Sequence, residues 1–541
     1  MPVSRRQPEA PPARLITAKR IGWTDGTVIA WRIGRADGVI TVYLSLLLLV
    51  MISLIMVSLE SVRIAAARTM TERYADMAAE MVMASYVQPL ADRYDILAYD
   101  RGLIASEGSY FRTCLEKNAE DKVRYAGLSG SVGSVTADQV QLLHDDGWAS
   151  MLAQISLAEK YALGESALTS FKGMLSQLES AEAADTEAAL SGDLTAAGGQ
   201  ASREAVSSAA SGEGETDGSG SRSQTAEDPR SGISSWLGSG ILGLTMSGLD
   251  ISGRTIDVSA CSYHTGLSQV YYAVKNFISA SGTAGALDQQ TFTDKILAAA
   301  GEGETELLLD LYLMEHFSCL TKDRSDGQSS VLAYEAEYIL FGKSTDRENL
   351  EAALNSLLAL RTVLNIAYLY RDSGKTALLD EAALAISGAG LPALGQLIKL
   401  LLISCWAAAE GVTDCAALTH GGKVPIMKGA SDWNLSWSAL VSIAKNGGSP
   451  SAYSAGSSRG FSYDQYLLLL MLLKSRDTRL IRASQLMECN IRLDSHYSDF
   501  SIRNCLTAAR WRGSISWGSH FWQALGKVSI DYECSYSYVD E

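Results

Sequence analysis

The chain has 541 residues, 61 of them Asp or Glu against 45 Lys or Arg, giving a formal charge of −16 and a pI near 5.0. Basic residues scattered over so acidic a chain build no basic face, which excludes nucleic acid as a partner. An apolar fraction of 47% is ordinary for a globular protein, but it is unevenly spread, and the uneven part decides where the molecule resides.

Residues 1–38 form a basic leader, with seven Arg or Lys (among them Arg5, Arg6 and Lys19) against Glu9, Asp25 and Asp37, a net +4. Val39 to Leu59 follows as 21 residues without a charge, Pro or Gly. At about 1.5 Å of rise per residue such a helix is roughly 30 Å long, the thickness of a bilayer's hydrocarbon core. A cleaved secretory signal has a shorter apolar run and a small-residue cleavage site, whereas Glu60 and Arg63 come next here. The positive leader predicts a cytoplasmic N-terminus. With Glu60 set aside, residues 61–541 carry −19 and are expected outside the cell, with membrane lipid as the first partner.

The helix is expected to continue. Ser61 to Tyr86 contains neither Gly nor Pro and is rich in Ala, Met, Arg and Glu, and Pro89 ends it. Ala67, Met70, Tyr74, Met77, Met81 and Ala84 recur at a 3-4-3-4-3 spacing that lines one face. That stripe reads in two ways: as packing on the protein's own ectodomain, or as a seam for self-association with neighbouring subunits.

A basic leader ending in Gly38, a span entered by Val39-Ile40-Thr41-Val42 and a long amphipathic helix resemble a type IV pilin-like N-terminus. More specifically they resemble the TadE/TadG-like membrane proteins of tight-adherence (Flp) pilus systems. Leu59-Glu60-Ser61-Val62-Arg63, with Asp92-Arg93-Tyr94-Asp95-Ile96-Leu97-Ala98-Tyr99-Asp100, is similar to an uncharacterised Gram-positive family of single-pass ectodomain proteins associated with such systems. The resemblance implies prepilin-type cleavage between Gly38 and Val39. Prepilins carry a Glu five residues after that Gly, where this chain has Tyr43, so an uncleaved accessory protein is favoured. The partners implied are pilus or secretion-system membrane proteins.

Residues 60–181 are expected to be a helical stalk and ectodomain segment, notably Asp138 to Leu178. Residues 182–232 are rich in Ser, Ala, Gly, Glu and Thr and read as a flexible linker, because so few large apolar side chains cannot offset the entropy of ordering. Residues 233–541 are expected to form an α+β ectodomain. Within it, Gly266 to Ser281 and Glu304 to Cys319 read as helices. Leu332, Tyr334, Ala336, Tyr338 and Leu340 alternate with Glu335 and Glu337, which reads as a strand. Thr345-Asp346-Arg347-Glu348 is a capping box that opens a helix to about Tyr370. Arg361 falls on the apolar face of that helix; it reads as a recognition site or, the favoured reading, as one side of an internal ion pair to Glu335 or Glu337.

Leu391 to Glu410 reads as a central helix, apolar nearly all round. Lys423 to Lys428 reads as a short edge strand, and Tyr463 to Lys474 with Thr478 to Arg492 as a helical pair. Val528 to Tyr538 alternates strictly and reads as a strand, paired antiparallel with Phe500 to Trp511 through Trp522. The segments YEAEYILFGK, DRENL, CWAAAEGVTDCAALTHGGKVPIMK and GFSYDQYLLLLMLL also resemble the C-terminal half of the same uncharacterised family.

Chemistry leaves little trace. The six His form no metal-spaced pair, Cys261-Ser262-Tyr263-His264 is a half-site without a second half, and no phosphate loop is present. Gly456-Ser457-Ser458-Arg459-Gly460 matches G-x-S-x-G but lacks a strand leading into it. No cofactor is expected. All eight Cys follow the apolar segment, and Cys505 with Cys534 is the favoured disulfide because both fall on the terminal hairpin. The fold class expected is α+β, mainly α. The function expected is a non-catalytic, single-pass surface protein, pseudopilin-like or accessory to a Tad-type apparatus. An independent adhesin or receptor and a surface hydrolase stand as alternatives.

Overall fold

The computed structural model describes residues 36–120, 128–162, 172–177, 228–264, 304–324, 327–387, 392–448, 460–519 and 526–539. The expected helix Gly266 to Ser281, the linker up to residue 227 and Trp522 lie outside them. The chain divides into two compact units, residues 1–68 and 69–541.

In the first unit the described residues belong to helix α1 (Ala36–Met83), unbroken over 48 residues, with neither Gly nor Pro after Gly38. Gly38 and Val39 lie in its opening turns. From Val39 to Leu59 nearly every apolar side chain is exposed, including Leu49, Val50 and Leu54.

The second unit has a sheet layer and a helical core. The sheet centres on β3 (Cys505–Ser519), which pairs antiparallel with β2 (Leu128–Leu142) and β4 (Lys527–Ser537), while the short β1 (Tyr99–Asp100) meets the start of β3. The β3–β4 hairpin follows the strict alternation of its sequence. Trp511, Ile515 and Trp517 turn inward, and Arg510, Arg512 and Glu533 turn out into a surface ion-pair ladder with Asp138. The inner face is covered by the last turns of α1 and by α3 (Glu107–Glu120). Phe111 of α3 stacks on Trp511 with centroids 5.0 Å apart. β2 corrects the expectation of helix through Asp138: its Ser, Val and Thr residues pair with β3, with irregular register near Val132 to Val135 and Asp138 to Gln141. Helix α4 (Asp145–Ala162) begins only after it.

The helical core is built round α11 (Pro392–Thr419), which packs on α9 (Asp346–Arg371) and α10 (Ser373–Ser387). Thr345 caps α9 by accepting a hydrogen bond from the Glu348 N–H at 3.2 Å. Around this centre lie α2 (Gln88–Tyr94), α5 (Arg230–Gly238), α6 (Ile241–Thr245), α7 (Glu304–His316), α8 (Glu335–Phe341), α12 (Trp437–Asn446), α13 (Tyr463–Met471) and α14 (Arg476–Ile491). The fold is α+β and mainly α, as expected.

Three local expectations are corrected. Residues 335–341 are helix α8, not strand: all seven are buried, so apolar and acidic positions alike face protein and the alternation loses its meaning. Gly342 ends the helix at φ +64°, a conformation that glycine adopts without strain. The Lys423–Lys428 segment makes only a two-residue bridge, Val424 to Phe461, not an edge strand. Asp228 to Gly232, counted in the linker, is ordered around the start of α5, with Arg230 bonded to Asp228.

Candidate functional site

Three places in the second unit concentrate polar or contact chemistry. The first is a buried charge cluster between α9 and α11. Arg361 and Asn365 are one turn apart on α9, as are Glu410 and Asp414 on α11, so each helix presents two polar groups to the other. Arg361 donates from Nε to Asp414 Oδ2 at 3.0 Å, and from Nη1 to the carbonyls of Pro425 and Ile426 and to the Tyr466 hydroxyl. Lys428 sits 2.6 Å from Asp414 Oδ1 and bonds Glu410, which also accepts from the Asn434 and Leu435 N–H groups. Two cations face two anions, and all four side chains are buried. Burial works against the Asp414 charge, but the Lys428 ammonium and the Arg361 guanidinium hold its carboxyl below the usual range. The expected partners Glu335 and Glu337 are therefore replaced by Asp414. A buried cluster of this kind fixes helix register and anchors the 423–428 loop.

The second place surrounds the Asp92–Asp100 motif, which packs inside the unit. Tyr94 and Tyr99 are fully buried, and Arg93 is 7% exposed. Arg93 donates to the carbonyls of Asn490 and Ser329, and the Tyr312 hydroxyl donates to the Tyr94 carbonyl at 2.6 Å. Asn490 donates to both the Tyr94 hydroxyl and Glu335 Oε1, while Arg324 donates to Glu335 Oε2 at 3.1 Å. Glu335 and Glu337 thus serve loops: Glu335 accepts from the Ser318 N–H, and Glu337 from the Leu320 N–H and the Tyr463 hydroxyl. The motif joins α14 to the segment that follows α1.

The third place is the distal part of α1. The buried side chains here are Thr71, Ala75, Ala78, Ala79, Val82 and Met83, and among them Thr71, Ala75, Ala78 and Val82 are spaced four, three and four. The Trp517 indole N–H donates to Thr71 Oγ1 at 2.7 Å, the Cys534 thiol donates to the Ala75 carbonyl, and the Tyr538 hydroxyl donates to that of Met83. The proposed seam lies beside that stripe. Met77 and Met81 are 47% and 42% exposed, Ala84 is exposed, and Met70 and Tyr74 are half-buried. Tyr74 still reaches the Trp517 ring, with centroids 6.0 Å apart. Ala67 falls in the first unit. The helix therefore carries a small-residue face turned to its own sheet and a methionine face beside it.

The Cys505–Cys534 disulfide is not formed. β-Sheet register sets Cys505 opposite Asp100 and Cys534 opposite Trp511, so the two thiols stand at different heights of the sheet. The sulfurs that meet are Cys261 and Cys489, 3.4 Å apart. The sequence offered no signal for that pair, since one lies in a loop and the other on a helix with 228 positions between them. His264 is exposed beside Cys261. Among the described residues no group of three or more His, Cys, Asp or Glu is arranged to hold a metal ion.

With this architecture in place, comparison with known proteins gives one relationship. Residues 219–517 match a family of unknown function, DUF5702, and the chain belongs to that family. The match spans the helical core, the thiol pair and most of β3. No curated protein and no solved structure matches the chain.

Proposed function

We propose that this DUF5702 protein is a single-pass membrane protein that presents its helical core and sheet outside the cell and works by assembly and contact, without catalysis. One observation carries the reading. Among the described residues three helices are long and apolar enough to cross a bilayer, and two of them have their apolar windows 89% and 94% buried within the protein, whereas that of α1 is 0% buried. An apolar stretch of that length needs a cover, and a hydrocarbon core matches its length. The leader charge of +4 favours a cytoplasmic N-terminus. The contact surface we favour is the methionine face of α1, and the assembly we favour is a pilus or secretion apparatus of the tight-adherence kind, in which this chain is an accessory or pseudopilin-like member.

Protease shaving of intact cells tests the topology: the acidic C-terminal mass should be digested while a membrane-protected N-terminal fragment remains. Crosslinking in membranes followed by mass spectrometry tests the assembly, and should recover pilus-machine proteins or a second copy joined near Met77 and Met81. Recovery of the uncrosslinked protein alone would remove the assembly reading.

A further inference from the structure

Cys261 and Cys489 are presented to one another by backbone that is fixed on both sides. Cys261 ends a strap, residues 250–261, that is bonded to the start of α9 through Ile256 N–H to the Ser344 carbonyl at 2.9 Å. Just beyond it, Ser262 donates to Glu488 Oε1 at 3.0 Å, and Gln485 Nε2 donates to the Tyr263 carbonyl at 2.8 Å. Arg492 Nη1 reaches the Ala260 carbonyl at 3.1 Å. Glu488, Gln485 and Arg492 flank Cys489 at the end of α14, so the groups that seat the strap also seat the thiols. The sulfurs lie 3.4 Å apart, and a disulfide bond of about 2.05 Å needs only a small movement of the side chains.

We propose that Cys261 and Cys489 form a redox clip, a dithiol that an organic disulfide converts to an intramolecular disulfide fastening the strap to α14. Cys489 is the attacking sulfur. It is half-buried where Cys261 is 6% exposed. The facing Cys261 thiol, aided by Arg492, holds Cys489 below its ordinary pKa against burial and Glu488, while the same contact and burial push Cys261 up.

The exchange balances. Cys489 gives its proton to water, and its thiolate attacks one sulfur of the donor disulfide, forming a mixed disulfide and releasing one donor thiolate. That thiolate takes the proton of Cys261. The Cys261 sulfur then attacks Cys489 Sγ, the bond to the donor breaks, and the second donor thiolate leaves and takes a proton from water. Two protein thiols are oxidised and one donor disulfide is reduced to two thiols. In the cell the oxidised form rests on the extracellular placement proposed above, since such bonds persist outside the cytosol. The clip itself does not depend on it.

The test uses the full-length protein in detergent, oxidised with glutathione disulfide, quenched with acid, unfolded in guanidinium, alkylated there with a maleimide and digested for peptide mapping. The expected result is that two of the eight thiols become unreactive and one linked peptide joins Cys261 to Cys489, with both recovered on dithiothreitol treatment. Cys505→Ser should leave the linked peptide intact, and Cys489→Ser should abolish it while freeing Cys261 for alkylation. Eight reactive thiols after oxidation of the wild-type protein, or a link between other cysteines, overturns the proposal without recourse to any variant. Alkylation of whole cells before lysis separates the two claims. A bond that forms in purified protein but is missing in cells supports the clip and overturns the extracellular placement.

Discussion

The indole N–H of Trp517 donates to the hydroxyl of Thr71 at 2.7 Å, and both side chains are buried. The two residues are 446 positions apart, one on the central strand and the other on the distal part of α1. A donor enclosed among apolar neighbours must find an acceptor or lose the hydration it gave up. Thr71 supplies that acceptor on a face otherwise made of Ala75, Ala78 and Val82. The bond therefore fixes the rotation of the helix on the sheet, and with it which residues are left on the neighbouring face.

Thr71→Val keeps the shape of the side chain and removes the acceptor. The unpaired indole N–H should cost about 1–3 kcal/mol of stability. Trp517→Ala removes the ring as well and should cost about 3–5 kcal/mol. Thermal unfolding of the detergent-solubilised protein reads both values. Equal losses for the two variants would show that the ring contributes nothing beyond its N–H.

Arg361 leads to a second prediction. Arg361→Met retains an apolar stem but leaves Asp414 facing Lys428 with one cation fewer, and strips donors from two carbonyls and Tyr466. Breaking a buried pair from one side typically costs about 3–5 kcal/mol. Arg361→Lys should recover little, because a single ammonium cannot reproduce the guanidinium fork. Denaturant melts of the three proteins decide it. A lysine variant as stable as the wild type would mean that charge alone suffices.

The contrast between these positions explains how much could be read in advance. The apolar segment, the cap at Thr345, the helical pair ending in α14 and the β3–β4 hairpin all carry local signals: uninterrupted hydropathy, a capping side chain, helical spacing, strict alternation. Residues 335–341 failed because a helix buried on every side has no polar face to set a period. β2 failed because its Ser-rich strand is specified by pairing with β3, hundreds of residues away. The same holds at the site. That Arg361 is paired follows from burying a charge, but its choice of Asp414 over Glu335 depends on how α11 packs. The stripe on α1 was legible as amphipathic, while the division between Ala75/Ala78 and Met77/Met81 had to await the sheet.

Glu159 gives a pH dependence. Its side chain is 1% exposed, Oε2 has no hydrogen-bond partner, and burial followed by the nearby Glu315 and Asp95 carboxylates pushes its pKa up to about 7 from an ordinary 4.5. The folded protein then keeps this proton up to about pH 7, while the unfolded chain releases it near 4.5. Between those values the native state binds more protons, so stability falls as pH rises through the window, by at most about 1.4 kcal/mol per pH unit for one such group. Glu337, also pushed up to about 7 by burial, adds to the same slope. Glu159→Gln should flatten the fall between pH 5 and 7 without removing it. An unchanged slope in that variant would assign the dependence elsewhere.

The last prediction separates the two faces of α1. Ala75 and Ala78 are 1% and 0% exposed on the sheet side, so Ala75→Glu or Ala78→Glu forces a charge into packed protein and should unfold the sheet layer. Met77 and Met81 lie one turn apart on the exposed side, and Met77→Glu with Met81→Glu should change stability by no more than about 0.5 kcal/mol per site, the range typical of surface substitutions. If this face is the contact surface, the double variant should lose crosslinking to its neighbours in membranes while its melting temperature stays near that of the wild type. Crosslinking that survives the double variant would move the contact away from the methionine face, and a large drop in melting temperature would show that the face packs within the protein.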